Sequence, residues 1–230
     1  MNFELILMYK IVLLRHGESI WNHDNIFAGW IDVPLSDRGE EQAKEAGRAL
    51  QKNGFAFDAA FVSSLQRATD TLEIVLKEMG LQDVVTVDSC WCLNERNYGV
   101  LQGVNKKEAV AKFGADQVQV WRRSYNERPP EGESLANVAG RINPYWEEKI
   151  IPTILQGKKI LIVAHGNSLR ALVKLIDQLS DEAVESLNIP TGIPLVYEFN
   201  DDLSPLKHYY LAEPLEVEKA IKAVEAETKI

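Results

Sequence analysis

The chain has 230 residues, 46% hydrophobic and 26% charged, the balance of a soluble globular fold with ample length for a full core. A formal net charge of -9 argues against non-specific binding to nucleic acid or to an anionic membrane surface. The apolar runs are far shorter than a bilayer requires.

Residues 1–8 carry no basic n-region and no small-residue cleavage site, so no secretory signal and a cytoplasmic location are expected, and Met8 is an alternative start. Apolar, β-branched runs predict strands over 10–14, 59–62, 84–87, 160–164 and 195–199. Between the first two, Ser36 is an N-cap, with Asp37, Glu40 and Glu41 in the first turn and Ala43, Ala46, Gly47 and Leu50 on one stripe. Leu65, Ala68, Leu72, Leu76 and Met79 form the next stripe. Cys90 and Cys92 flank Trp91, too close for an easy bridge and without a second pair for zinc, so both are expected as reduced, packing thiols. A third helix carries Leu135, Val138, Ala139, Ile142 and Trp146, kinked at Pro144. A fourth starts near Asn167 and carries Leu169, Leu172, Val173 and Ile176. Strands alternating with helices predict an α/β three-layer sandwich, a mostly parallel sheet with helices on both faces. No linker divides the chain, so residues 1–230 are expected as one domain. Residues 213–230, with Val217, Ala220, Ile221 and Val224 at helical spacing after Pro214, are either a docked terminal helix or a mobile tail that acts as a lid.

One phrase occurs twice. Leu13-Leu14-Arg15-His16-Gly17-Glu18-Ser19 is echoed by Ile162-Val163-Ala164-His165-Gly166-Asn167-Ser168, and the whole chain has only four histidines. An apolar run ending in His-Gly is a buried strand releasing a reactive side chain at its carboxyl end, where parallel sheets bind ligands. Arg15 accompanies His16, and Arg67 follows the strand at 59–62 in the first helical turn. The helix start at Gly166 and Asn167 adds unpaired backbone N–H groups. Two imidazoles, two guanidiniums and a helix end describe a phosphate pocket. No metal is expected, because the arginines repel a cation and no carboxylate cluster accompanies the histidines. Neither a dinucleotide fingerprint nor a serine-hydrolase elbow is present. A neutral imidazole is a competent nucleophile toward phosphorus, with arginine forks neutralising the equatorial oxygens.

Arg15-His16-Gly17-Glu18 is similar to the signature of the histidine phosphatase superfamily. Later blocks narrow the resemblance, over nearly the whole chain, to its cofactor-dependent phosphoglycerate mutases. These are Trp21-Asn22, Gly29-Trp30 with Asp32, Leu93-Asn94-Glu95-Arg96 with Tyr98-Gly99, Leu101-Gln102-Gly103 with Asn105-Lys106, Trp121-Arg122-Arg123, His165-Gly166-Asn167-Ser168-Leu169-Arg170 and Ile189-Pro190-Thr191-Gly192. The resemblance implies that His16 carries the phosphoryl group and that His165, Arg15, Arg67 and Asn22 hold it. It implies Glu95 as proton donor and acceptor, and Tyr98, Lys106, Arg122 and Arg123 as the clamp for the carboxylate and non-reacting phosphate. Ala28, Gly29, Gly166 and Asn167 add backbone or amide donors. The implied reaction interconverts 3-phosphoglycerate and 2-phosphoglycerate, primed by 2,3-bisphosphoglycerate and without metal. The implied partners are small-molecule phosphoglycerates and a second copy in a homodimer, with no nucleic acid or membrane. A histidine phosphatase that passes the group to water shares His16, Arg15, Arg67 and His165, and the clamp separates the two readings.

Two departures from the pattern stand out. Ala28 occupies a position where many members have Ser or Thr, which removes one neutral hydrogen bond, roughly 0.5–1.5 kcal/mol. The direct run Arg128-Pro129-Pro130-Glu131-Gly132-Glu133-Ser134 lacks the extra loop of longer members and bears on the oligomer and the site mouth.

Overall fold

The computed structural model describes residues 9–228; the signal-peptide and alternative-start readings fall on residues 1–8, outside the described residues. In chain order the elements are β1 (Tyr9–Arg15), α1 (Ile20–His23), α2 (Asp37–Lys52), β2 (Ala59–Ser63), α3 (Gln66–Met79) and β3 (Thr86–Cys90). Two 3₁₀ turns, Trp91–Leu93 and Gly99–Leu101, lead to α4 (Lys106–Phe113) and α5 (Ala115–Arg123). Then come α6 (Leu135–Tyr145), a π turn (Trp146–Ile150), α7 (Ile151–Leu155), β4 (Ile160–Ala164) and α8 (Gly166–Asp177). The chain ends in α9 (Asp181–Ser186), β5 (Leu195–Phe199), β6 (Pro205–Tyr210) and α10 (Pro214–Thr228).

The sheet order is β3-β2-β4-β1-β5-β6. β1 to β4 run parallel to one another, while β5 lies antiparallel to both β1 and β6. A strand buried on both faces needs apolar residues at every position, and β1 shows why. Its Ile11 and Leu13 enter one core with α6, α8 and the π turn, while Val12 and Leu14 enter the other with α2 and α3. That double burial is the three-layer α/β sandwich expected from the sequence. Each fully buried Leu or Ile contributes roughly 1.5–3 kcal/mol of transfer free energy.

Helix ends follow the local chemistry. Ser36 accepts the Gly39 N–H at 3.1 Å and caps α2. Ser134 and Asn137 close a reciprocal capping box at the start of α6. α6 runs through Pro144, whose missing N–H is followed by the π turn. The N-terminus of α2 packs directly on the turn after β1. A Cβ on Gly17 would meet Gly39 O at 2.2 Å, and one on Gly39 would meet Glu18 O at 1.9 Å. Only two glycines back to back allow this approach.

Three expectations are corrected. The third strand is Thr86–Cys90, starting two residues later than the predicted 84–87 and overlapping it at 86–87, because its register is set by pairing with β2 from Ala59↔Thr86 to Ser63↔Cys90. β6, an exposed edge strand opened by Pro205, was not expected at all. Cys90 and Cys92 are not free thiols but a disulfide. The 3₁₀ turn that starts at Trp91 brings their Cα atoms to 5.1 Å, inside bridging range despite a separation of two.

Candidate active site

All four parallel strands deliver residues to one edge of the sheet. The β1–β4 register pairs Arg15 with Ala164, so the next residues, His16 and His165, leave the sheet side by side. His16 N–H extends the ladder to Ala164 O at 3.0 Å. The two ring centroids lie 4.8 Å apart, edge to face. The repeated phrase is therefore a consequence of two neighbouring strands ending at one level.

His16 Nδ1–H donates to Gly17 O at 2.6 Å. A carbonyl can only accept, so this bond fixes the tautomer and leaves the Nε2 lone pair for the cavity. Burial, then the charges of Arg67 and Arg15, hold the His16 imidazole well below its ordinary value of 6.5, against a smaller upward pull from the Gly17 carbonyl. It is neutral at pH 7, the state that a nucleophilic role would require. His165 is also held well below 6.5, by burial first and then by Arg67, His16, Arg15 and Arg141. Its Nε2 lies 2.7 Å from Ser63 Oγ, whose proton is given to Asn94 Oδ1 at 2.8 Å. The only proton left for the first contact is on the imidazole, so His165 is the Nε2–H tautomer.

Arg67 sits at the second position of α3 and donates to Gly29 O at 2.8 Å and Ile31 O at 3.2 Å, drawing the 29–31 loop over the site. Burial lowers its guanidinium to about 10, still charged at neutral pH. Arg15 donates to Ile189 O at 2.7 Å, and its buried Nε has no partner among the described residues. Asn22 Oδ1 accepts from Ser19 N and Oγ, which turns its NH₂ group the other way. Gly29 has φ +55°, and a Cβ there would strike Gln102 Oε1 at 2.3 Å.

Glu95 follows the 3₁₀ turn after β3. Its Oε1 accepts from Arg96 N at 2.6 Å, Asn167 Nδ2 at 2.8 Å and Asn167 N at 3.3 Å, the last being a first-turn amide of α8. Asn167 Nδ2 also reaches Tyr98 Oη at 3.1 Å. Arg170, one turn on, donates to Asn167 Oδ1 at 2.8 Å and so sets which way that amide faces. Burial lowers Arg170 to about 9.

One cavity is lined by Arg15, His16, Asn22, Ala28, Gly29, Arg67, Glu95, Tyr98, Lys106, Arg122, Arg123, Gly166 and Asn167, every candidate named from the sequence except His165. His165 is sealed behind His16, with no exposed surface. Lys106 comes from the first position of α4, and Arg122 and Arg123 from the last turn of α5. Arg123 donates to Asn188 Oδ1 and to Glu185 and Leu187 carbonyls, and burial lowers its guanidinium. Six cationic side chains, Arg170 included, thus face a cavity whose lining holds one carboxylate, Glu95. That imbalance within a chain of net charge -9 is a site for a multiply charged anion.

Ser19, Arg170, Ile189 and, from α10, Val224 also line the cavity and were not among the candidates. Arg170 was visible as the last residue of the His165 block, but its role needs the Asn167 contact. Ser63 and Asn94 were missed because their function appears only when β2, β3 and β4 are adjacent. Among the described residues, no three His, Cys, Asp or Glu side chains converge as a metal-binding group. No helix there is long and apolar enough to cross a membrane.

Residues 11–210 match the histidine phosphatase superfamily, branch 1. The chain is 49% identical to a 2,3-bisphosphoglycerate-dependent phosphoglycerate mutase of Borreliella burgdorferi (strain ATCC 35210 / DSM 4680 / CIP 102532 / B31), covering 97% of this chain and 100% of that one. It is 50% identical to the enzyme of the same name from Borreliella afzelii, with the same coverage. Those alignments run 248 positions, longer than the 230-residue chain, so the relatives carry residues that this chain lacks. Among solved structures, a mycobacterial glucosyl-3-phosphoglycerate phosphatase complexed with VO3 superposes with a TM-score of 0.71 at 28% identity, over 82% of this chain and 92% of that one. Mycobacterial hydrolase 1 gives 0.74 at 26% identity, over 88% and 96%. The chain belongs to branch 1 of the histidine phosphatase superfamily and, within it, to the 2,3-bisphosphoglycerate-dependent phosphoglycerate mutases.

Proposed function

We propose that this chain interconverts 3-phosphoglycerate and 2-phosphoglycerate, with His16 as the phosphoryl carrier. The observation that carries this reading is one cavity holding a neutral His16, Glu95 on a fixed turn, and a second cationic cluster of Lys106, Arg122 and Arg123. A phosphatase needs cations around one phosphate only; the second cluster suits the other end of a phosphorylated acid. The same two ends fit 2,3-bisphosphoglycerate, which when bound supplies the phosphoryl group that primes the enzyme.

His16 Nε2 attacks phosphorus, the N–P bond forms and the O–P bond breaks, and the electron pair passes to the substrate oxygen. Glu95 as the acid gives that oxygen its proton; in the return step, as carboxylate, it takes the proton from whichever hydroxyl attacks the phosphohistidine. Arg15, Arg67 and the α8 N-terminus neutralise the transferring group, and His165, its Nε2 proton committed to Ser63 Oγ, packs against the His16 ring from behind. The remaining requirement is that the bound glycerate turns so that C2 and C3 oxygens exchange places before Glu95, while the clamp keeps it from leaving.

The test is to incubate purified protein with 3-phosphoglycerate, a trace of 2,3-bisphosphoglycerate and a chelator, and to follow products by ³¹P NMR. The expected product is 2-phosphoglycerate, formed without added metal. Inorganic phosphate as the main product would replace this reading with the phosphatase.

Of the terminal segment 213–230, α10 is assigned as a cover for the mouth, and residues 229–230 lie outside the described residues. α10 brings Val224 to the cavity lining, and the Glu225 carboxylate acts on Arg123. Truncation after Ala212 is expected to raise phosphoenzyme hydrolysis relative to mutation, because water then reaches His16. An unchanged ratio would reduce the segment to packing. Cytoplasmic location and a homodimer complete the proposal, on the family resemblance alone.

A further inference from the structure

The turn that carries Glu95 is gripped from behind by a residue outside the cavity. Arg141, on α6, has a side chain only 8% exposed. Its Nη1 donates to Cys92 O at 2.6 Å, and its Nη2 to Asn94 O at 2.9 Å and Glu95 O at 3.0 Å. Nε and Nη2 also hold both oxygens of Glu133, at 2.9 and 3.1 Å. Glu133 Oε2 in turn accepts from Asn97 N at 2.8 Å, and Glu133 N donates to Asn97 O at 2.8 Å. The backbone on both sides of Glu95 is therefore tied to one ion pair.

A carbonyl oxygen has two lone pairs. At Asn94 O the second is taken by Ser168 Oγ at 2.7 Å, and at Glu95 O by Trp30 Nε1 at 2.6 Å. Both carbonyls that flank the Glu95 Cα are thus fully used, each with Arg141 as one donor. The carboxyl end of Glu95 is held by Asn167 and Arg96 N, so Arg141 fixes the root of a side chain whose tip is fixed elsewhere.

We infer that Arg141, paired with Glu133, is a positioning residue for the mutase reaction, which holds the Glu95 carboxyl within proton-transfer reach of the substrate oxygen. The inference rests on the function proposed above. A planar fork is needed, because a lysine ammonium cannot span carbonyls at 92, 94 and 95 while paired with Glu133. Arg141 also adds positive charge near His165. Arg141→Lys keeps that charge and removes only the fork.

The experiment is a kinetic cycle of Arg141→Met, Arg141→Lys, Glu133→Gln and Glu95→Gln, alone and combined, with kcat and KM for 3-phosphoglycerate. Displacing a reacting group by about 1 Å costs on the order of 10²-fold. Arg141→Lys is expected to lose about that factor in kcat with KM changed by less than about threefold, and Glu133→Gln about tenfold. In the Glu95→Gln background neither change is expected to cost anything further, since the group they position is gone. Arg141→Lys as active as wild type, or losses that multiply with Glu95→Gln, would overturn the inference. Should Arg141→Met fail to fold, the Lys and Gln variants decide the outcome. A wild-type chain that releases phosphate instead of 2-phosphoglycerate would point to failure of the functional reading, not of the positioning role.

Discussion

Replacing His16 with alanine lowers mutase activity by at least about 10⁴-fold, because no other group in the cavity can accept the phosphoryl from its side of the sheet. His16 is 3% exposed, its Nδ1 proton is committed to Gly17 O, and His165 has no exposed surface. The second imidazole cannot take over the role without a rearrangement of the β1 and β4 ends. The same substitution abolishes acid-labile phosphate incorporation from 2,3-bisphosphoglycerate, read by intact-protein mass spectrometry at neutral pH. His16→Gln serves as a second variant that fills the space without a nucleophile. A phosphorylated protein in either variant would move the acceptor to another residue and remove His16 from the centre of the mechanism.

Acid destabilises this fold from about pH 6.5 downward, and two histidines account for a defined share of the loss. In the folded state both imidazoles are held neutral; in the unfolded chain each binds a proton near 6.5. Below that pH the unfolded state carries more protons, so stability falls as pH falls, and goes on falling until each depressed folded value is reached. Each imidazole contributes up to about 1.4 kcal/mol per pH unit in this window. Urea unfolding of wild type and His16→Gln at about pH 7 and about pH 5.5 checks this, with the variant expected to lose about 1.3 kcal/mol less across the interval. Equal losses in the two proteins would mean that His16 takes up its proton in the fold as readily as in the unfolded chain, and would overturn the claim that burial and the two arginines hold it low.

How much of this was legible in the sequence follows from where each signal lives. β1 and β4 were plain because double burial demands unbroken apolar runs, and because each run stops at His-Gly. β3 and β6 were misplaced or missed because edge strands are exposed and carry no such run. Cavity residues drawn from the family resemblance converge, His165 apart. The residues that orient them did not announce themselves. Ser63, Asn94, Arg141 and Arg170 are ordinary polar letters whose meaning comes from partners across the fold, such as Ser63 with His165 and Arg141 with Cys92. The cysteine pair failed for a related reason, since sequence separation says nothing of a 3₁₀ turn that folds it back.

The place of β1 in the sheet bears on how the enzyme is made. Its two neighbours are β4 and β5, whose residues begin at Ile160 and Leu195, so the strand ending in Arg15 has no partner until most of the chain has been synthesised. An apolar strand with both edges open is an aggregation hazard during that interval. Contacts of such long sequence separation also slow the folding step that closes the sheet. His16, at the end of β1, is made well before the strands that flank β1 and enters its cavity only once β4 and β5 have paired, so a partly translated chain lacks the assembled site.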